Sequence, residues 1–279
     1  HPLRPHQEVA VLEEATTSDL LGTARGDDTV PQYRPELSKG GVKRSKAFGT
    51  RIGAPGVEPS GVFVPACVNS MFGPQGSGVG ASEAFAKLVE RAGLSLVVPE
   101  GIDGMCCGTP WASKGMSTGH DVMQRRVNDQ LIAATDGGRL PVVVDASSCT
   151  HGFQDMAEGI GITVVDAIEF VEDQVLERLE VAHKVDSVTL HPTCSTTHLG
   201  IVDTLKRVAG AAAEDVRVPA EWNCCGYAGD RGMLHPELTH AATKREAAQA
   251  EELAARIAPV IESTGLVCED VSIRERGGR

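Results

Sequence analysis

Aromatic side chains are scarce in this chain: Phe, Tyr and Trp together make up 4% of 279 residues. Stacked rings cannot supply most of the core. Packing has to come from the plentiful Ala, Val, Leu and Gly, which suit layers of short Val-rich strands and Ala-rich helices. Positive charge is also in deficit. The formal net charge of −12 at pH 7 argues against a general nucleic-acid binder. No stretch approaches the ~20 apolar residues of a membrane-spanning helix, so membrane contact is expected to be peripheral at most. No secretory signal opens the sequence, and its first residues are HPLRP without Met, the start expected of a trimmed or longer protein. Nucleotide signatures are missing as well. No G-x-G-x-x-G follows a strand, no Walker-type loop occurs, and the Gly-rich GPQGSGVGAS at 73–82 reads as a loop. Nor does a G-x-S-x-G nucleophile elbow occur in a strand–turn–helix setting.

What the chain does have is cysteine, eight in all, arranged twice around an adjacent pair followed by glycine: Cys106-Cys107-Gly108 and Cys224-Cys225-Gly226. A disulfide between neighbours requires a distorted peptide, because trans Cα atoms are only ~3.8 Å apart. One zinc ion is also a poor match, since its ligand pairs are usually separated by two to four residues. A polynuclear cluster is different, because neighbouring sulfurs can bind different irons. Four disulfides would fit an even count, yet a chain this long does not need stapling. Reduced thiols in the cytoplasm are the expectation.

From residue 61 the sequence reads as a duplicated unit of strand, helix, strand, helix, strand. GVFVPAC ends at Cys67, a helix covers about 79–92, and LSLVVPEG leads into the first doublet. A helix over about 115–135 then precedes the apolar strand LPVVVDASSC, ending at Cys149. The second copy runs DSVTLHPTC to Cys194, a helix over about 197–209, DVRVPAEWN into the second doublet, a long helix over about 236–258, and TGLVC to Cys268. The fold class is therefore α/β, two similar strand–helix repeats with mostly parallel sheets, preceded by a basic Gly/Pro-rich leader. The expected divisions are 1–59 for the leader, 60–180 for the first repeat and 186–279 for the second. Helical crossovers favour parallel strands, and sites in such sheets gather at the carboxyl edge, where every cysteine falls in this reading. Pro236 opens the long helix at a position that tolerates proline. In the leader a helix is expected over 6–25. Its basic residues Arg34, Lys39, Lys43, Arg44, Lys46 and Arg51 read as a solvated linker, with a docking patch as the alternative.

The two spacings, C-x38-CC-x41-C and C-x29-CC-x42-C, converge four sulfurs per half. Four thiolates match the ligand count of an iron–sulfur cluster. Gly108 and Gly226 would let the turn take positive φ, bringing backbone amides and a helix N-terminus to the sulfurs. Redox thiols, disulfides and a zinc site remain the alternatives at this stage. His191, His198 and His151 flank the cysteines, either as replacement ligands or proton carriers, or as ordinary hydrogen-bonding side chains. Trp111 and Trp222 read as packing shields over the doublets. Lys114 either balances a cluster's charge or is exposed; Asp230 and Arg231 read as a salt bridge.

GVFVPACVNSMFG, PEGIDGMCCGTPWASKGM, VVVDASSCTHG, LHPTCSTTHLG and PAEWNCCGYAGDRGMLHPELT resemble the cysteine-rich "CCG" domain. That domain occurs in the cysteine-rich subunit of heterodisulfide reductases, in the iron–sulfur subunits of glycolate and glycerol-3-phosphate oxidation, and in lactate utilisation proteins. The resemblance is strongest to the carboxyl-terminal region of FAD-linked D-lactate dehydrogenases and covers about 28–258. It implies one or two clusters of the 4Fe–4S type, ligated by Cys67, Cys106, Cys107 and Cys149 and by Cys194, Cys224, Cys225 and Cys268. It further implies a flavin dehydrogenase domain or subunit carrying FAD outside this segment. A quinone or cytochrome acceptor and a cytoplasmic location, extending to the inner face of the membrane, are implied as well. The heterodisulfide-reductase form ends each motif in CxxC, whereas Ala146 and Gly265 stand here at the first of those positions. That departure weighs against a five-sulfur cluster and disulfide-cleaving catalysis. A zinc- or disulfide-stabilised interaction module is the non-redox alternative.

Overall fold

The computed structural model describes residues 42–71, 79–228, 231–264 and 273–275. The expected helix over 6–25, Arg34, Lys39, most of the 73–82 loop, Asp230 and the TGLVC strand with Cys268 lie outside the described residues.

Strands β1 (Arg51–Gly53), β2 (Gly61–Val64), β3 (Ser95–Val97), β4 (Val142–Val144) and β5 (Val164–Asp166) form one sheet in the order β1-β3-β2-β4-β5. All pairings are parallel except β1 with β3. β2 and β4 are buried at every position, which is why they read as unbroken apolar runs instead of alternating ones. The few aromatics concentrate here. Phe63 on β2 packs against Phe48 and Phe85, with centroids 5.6 and 5.0 Å apart, and Phe85 meets Phe170.

Helices alternate with these strands: α1 (Arg44–Phe48), α2 (Val68–Met71), α3 (Ala81–Arg91), α4 (Thr109–Ser113), α5 (Ser117–Ala134) and α6 (Ser147–Met156). The segment after β4 continues further than sequence reading expected. Asp166 ends β5 and caps α7 (Ala167–Phe170) in a reciprocal box with Glu169, and a π-helical turn, Val171–Val175, follows. β6 (Leu179–Val181) pairs antiparallel with β9 (Ile273–Glu275).

In the second unit β7 (Val185–Thr189) and β8 (Ala213–Arg217) are parallel. The helix expected over 197–209 is two pieces, α8 (Cys194–His198) and α9 (Val202–Ala212), broken at Gly200, whose φ is +75°. A short α10 (Arg231–Leu234) leads into the long α11 (Pro236–Thr264).

Residues 44–53 are not the solvated connector expected from their composition. β1 adds an edge strand to the first sheet, and α1 docks on the 3-10 turn Ile102–Gly104, where Ser45 donates from its amide and hydroxyl to Asp103. Arg44 is buried at 4% exposure, while Lys43, Lys46 and Arg51 are exposed.

Candidate metal centre

The strand order places a topological switch at β2, whose neighbours β3 and β4 lie on opposite sides. Crevices open beyond the carboxyl ends of strands at such points. Cys67 follows β2, Cys106 and Cys107 follow β3, and Cys149 follows β4 as the third residue of α6. The structure brings these four together. The Cys106 thiol interacts with Cys67 and Cys107, and Cys107 in turn with Cys149. Cys107 and Cys149 are buried, Cys67 and Cys106 half-buried, and none of the seven described cysteines forms a disulfide.

Gly108 makes the doublet's turn possible. Its φ is +78°, and a Cβ there would lie 2.3 Å from Met156 Cε and 2.7 Å from His120 Cδ2. The chain can then double back so that the Gly108 amide donates toward the Cys106 sulfur and the Thr109 amide toward Cys107. Thr109 Oγ1 is 3.3 Å from Cys107 Sγ. Across the site, Gly152 of α6 presses on the doublet; its missing Cβ would sit 2.4 Å from the Cys107 carbonyl oxygen.

Proton affinities within the quartet split. Cys107 is held far below the usual thiol range by hydrogen bonds from Cys106 and Cys149, with Thr109 adding to them. Cys67 is lowered to about 6, first by a hydrogen bond from Cys106 and then by the Arg44 charge. Cys106 and Cys149, the donors, are pushed up. Negative charge is thus favoured on Cys67 and Cys107, with Cys106 and Cys149 as the proton-holding donors. Among the described residues no group of three or more His, Cys, Asp or Glu is already closed to metal-binding distances. Seven free cysteines, amides aimed at sulfur and a buried cation fit an anionic iron–sulfur cluster.

Several supporting residues carry no signal in the sequence motifs. The Asp145 carboxylate accepts from the Ala66 amide at 2.7 Å and from Asn69 Nδ2 at 3.3 Å, tying the Cys67 loop to the end of β4; burial pushes its carboxyl up. Thr150, beside Cys149, donates to the buried Asp166 at 2.8 Å. Arg44 donates from Nη1 to the Pro65 carbonyl at 2.9 Å and from Nη2 to the Met105 carbonyl at 2.8 Å, just ahead of Cys67 and Cys106.

The second doublet repeats the turn in a more open setting. Gly226 has φ +69°, and its amide donates to Cys224 Sγ at 3.4 Å. Cys194, at the start of α8, interacts with Cys224, whose hydrogen bond pushes the Cys194 thiol up. Cys194 and Cys224 are exposed and Cys225 half-buried. Cys268 lies outside the described residues. His191 Nδ1 is 2.6 Å from Glu246 Oε1 of α11. Trp222 packs edge-on to that ring and donates to the Pro192 carbonyl at 2.8 Å. Trp111 packs over Gly119, and Lys114 is exposed. The two units meet through α6 and α8 and through α9 against α7 and the π-helical turn. Thr196 donates to Ser147 at 3.3 Å, and the His151 and His198 rings lie 4.9 Å apart.

The family model for the cysteine-rich CCG domain matches residues 63–154 and 188–264, spans that contain every described cysteine and stop short of Cys268. Among curated proteins the chain is 27% identical over 165 residues to lactate utilization protein A of Macrococcus caseolyticus, covering 52% of this chain and 63% of that protein. It is 26% identical over 194 residues to lactate utilization protein A of Bacillus licheniformis, covering 63% of this chain and 77% of that protein. No solved structure matches.

Proposed function

The chain belongs to the cysteine-rich CCG domain family, and from that premise we propose that it is an iron–sulfur electron-transfer module serving oxidation of lactate or a related 2-hydroxyacid. The observation that supports this most is the convergence of Cys67, Cys106, Cys107 and Cys149 from three strand ends into one pocket. Those four would hold the first cluster, and Cys194, Cys224 and Cys225 with Cys268 a second. When bound, such a cluster supplies uptake and release of one electron at a time.

This chain's own residues set the conditions for that transfer. The Gly108 and Thr109 amides and the Thr109 hydroxyl stabilise charge on sulfur. Gly152 brings α6 close enough for Cys149 to close the pocket. Met105 and Met156, both buried, keep water from its floor. Oxidising a 2-hydroxyacid to the 2-oxoacid releases two electrons and two protons. That step would fall to an FAD-bearing domain or subunit, as the resemblance to FAD-linked dehydrogenases implies. From this module the electrons would go singly to a quinone, cytochrome or other carrier. Among the described residues no helix is long and apolar enough to cross a membrane.

Anaerobic purification with iron and acid-labile sulfide counts, plus EPR of the reduced protein, tests the proposal. Cluster iron and a reduced-state signal are expected, and Cys107→Ser should remove the first site's share of both while the chain stays folded. A colourless, zinc-containing protein, or an unchanged spectrum in Cys107→Ser, would sink it.

A further inference from the structure

Arg44 is the one buried Lys or Arg among the described residues. A guanidinium stays protonated under all ordinary conditions, so burying it leaves a fixed positive charge that needs a partner. None of the usual partners is there. Among the described residues no carboxylate pairs with Arg44, and Asp103, whose charge it feels, is exposed and engaged by the Ser45 amide and hydroxyl. Two carbonyls, Pro65 and Met105, accept its hydrogen bonds, but they carry only partial charge. The groups whose charge it feels are Cys67, then Asp103, Cys106 and Cys149. Three of those four are the thiols of the first site.

We infer that Arg44 is the built-in counter-charge of the first cysteine site, raising the reduction potential of the cluster held there while its two carbonyl contacts brace the Cys67 and Cys106 loops. The inference rests on the iron–sulfur reading above. A cluster bound by four thiolates carries net negative charge and gains another on reduction, so a nearby fixed cation favours the reduced form. Burial shields this interaction from salt. It also explains why the residues ahead of the first repeat fold against it: α1 delivers the charge, and the Ser45–Asp103 contacts anchor α1 to the turn before the doublet. Arg44 is a positioning and charge-balancing residue, not a ligand.

The test uses the full chain carrying Cys224→Ser and Cys225→Ser, so that the first site is read alone. Arg44→Met and Arg44→Lys are compared with that parent for iron and sulfide content and for midpoint potential by EPR-monitored titration. Arg44→Met should disfavour reduction at least tenfold, about 59 mV for one electron. Arg44→Lys should stay near the parent, because an ammonium keeps the charge although it cannot reproduce the fork across both carbonyls. A Met variant with normal iron and an unmoved potential overturns the inference. So does a Lys variant that shifts as far as Met. Should Arg44→Met hold no iron, retention of iron and potential by Arg44→Lys supports the role of charge, and its loss there refutes it. If the parent itself binds no iron, the electron-transfer reading has failed first.

Discussion

Replacing Gly108 with alanine perturbs the doublet turn at its tightest point, and the cost can be worked from two contributions. At φ +78° an alanine is held in the left-handed region, which costs about 1–2 kcal/mol for a residue with a Cβ. The added methyl would also start 2.3 Å from Met156 Cε and 2.7 Å from His120 Cδ2. Met156 is fully buried, so relief requires repacking, worth about 1–3 kcal/mol. Gly108→Ala should therefore destabilise the metal-free chain by about 2–5 kcal/mol. At roughly 2–4 °C per kcal/mol for a chain of this size class, Tm should fall by about 4–20 °C. Gly226→Ala is the internal control. Its φ of +69° carries the same conformational cost, but the nearest atoms to its Cβ are 3.1 Å away, at Ala242 Cβ and the Leu238 carbonyl oxygen. Its loss should stay near about 1–2 kcal/mol. Thermal unfolding followed by circular dichroism reads both variants. A Gly108→Ala chain melting with the parent, or a Gly226→Ala chain losing as much as Gly108→Ala, would refute the reasoning.

Burial raises the Asp145 carboxyl in the folded state, so that state keeps its proton to higher pH than the unfolded chain does. From an unfolded value of about 3.9 upward through the raised folded value, the parent should lose stability relative to Asp145→Asn. Melting curves of the metal-free pair between about pH 4 and about pH 7 check this, and parallel profiles would contradict it. Glu246 is buried at 8% exposure and meets His191 at 2.6 Å, joining α11 to the loop before Cys194. Glu246→Gln should cost about 1–2 kcal/mol, visible as faster amide exchange along the first half of α11. Unchanged protection there would mean the contact holds nothing in place.

The strand–helix alternation of the first repeat was legible because buried parallel strands appear as short apolar runs, GVFV and VVV, bounded by glycine and proline. The cysteine convergence was legible for a related reason: sulfurs placed after successive parallel strands must face one edge. What escaped reading had local signals too weak or misleading. Arg44 sits in a segment whose composition, rich in Lys, Arg and Gly, resembles a solvated linker, and only tertiary packing distinguishes it from exposed Lys43 and Lys46. β5 is three residues long, and its local cues are only the short β-branched run ITVV and the D-x-x-E capping pattern of Asp166 and Glu169 just beyond it. Asp145 looks like an ordinary strand-end acid. Its role depends on the Ala66 amide 79 residues away in sequence, a pairing no local pattern encodes.

Topology explains why one unit could be used twice. With β3 and β4 on either side of β2, three connections leave the same sheet edge, so a sulfur placed in each connection reaches a shared pocket without any special loop. β7 and β8 repeat the parallel arrangement, and Cys194 and the second doublet follow them in the same sense. The units touch through α6 and α8, the helices that carry Cys149 and Cys194, and also through α9 against α7 and the π-helical turn, where Arg207 pairs with Glu172; each of the two cysteines is two residues from the Ser147–Thr196 hydrogen bond. The seam therefore includes both helices that carry candidate ligands, together with α9, which carries none. For a module whose proposed work is moving single electrons between sites, a seam that includes both of these helices favours a short path between Cys149 and Cys194.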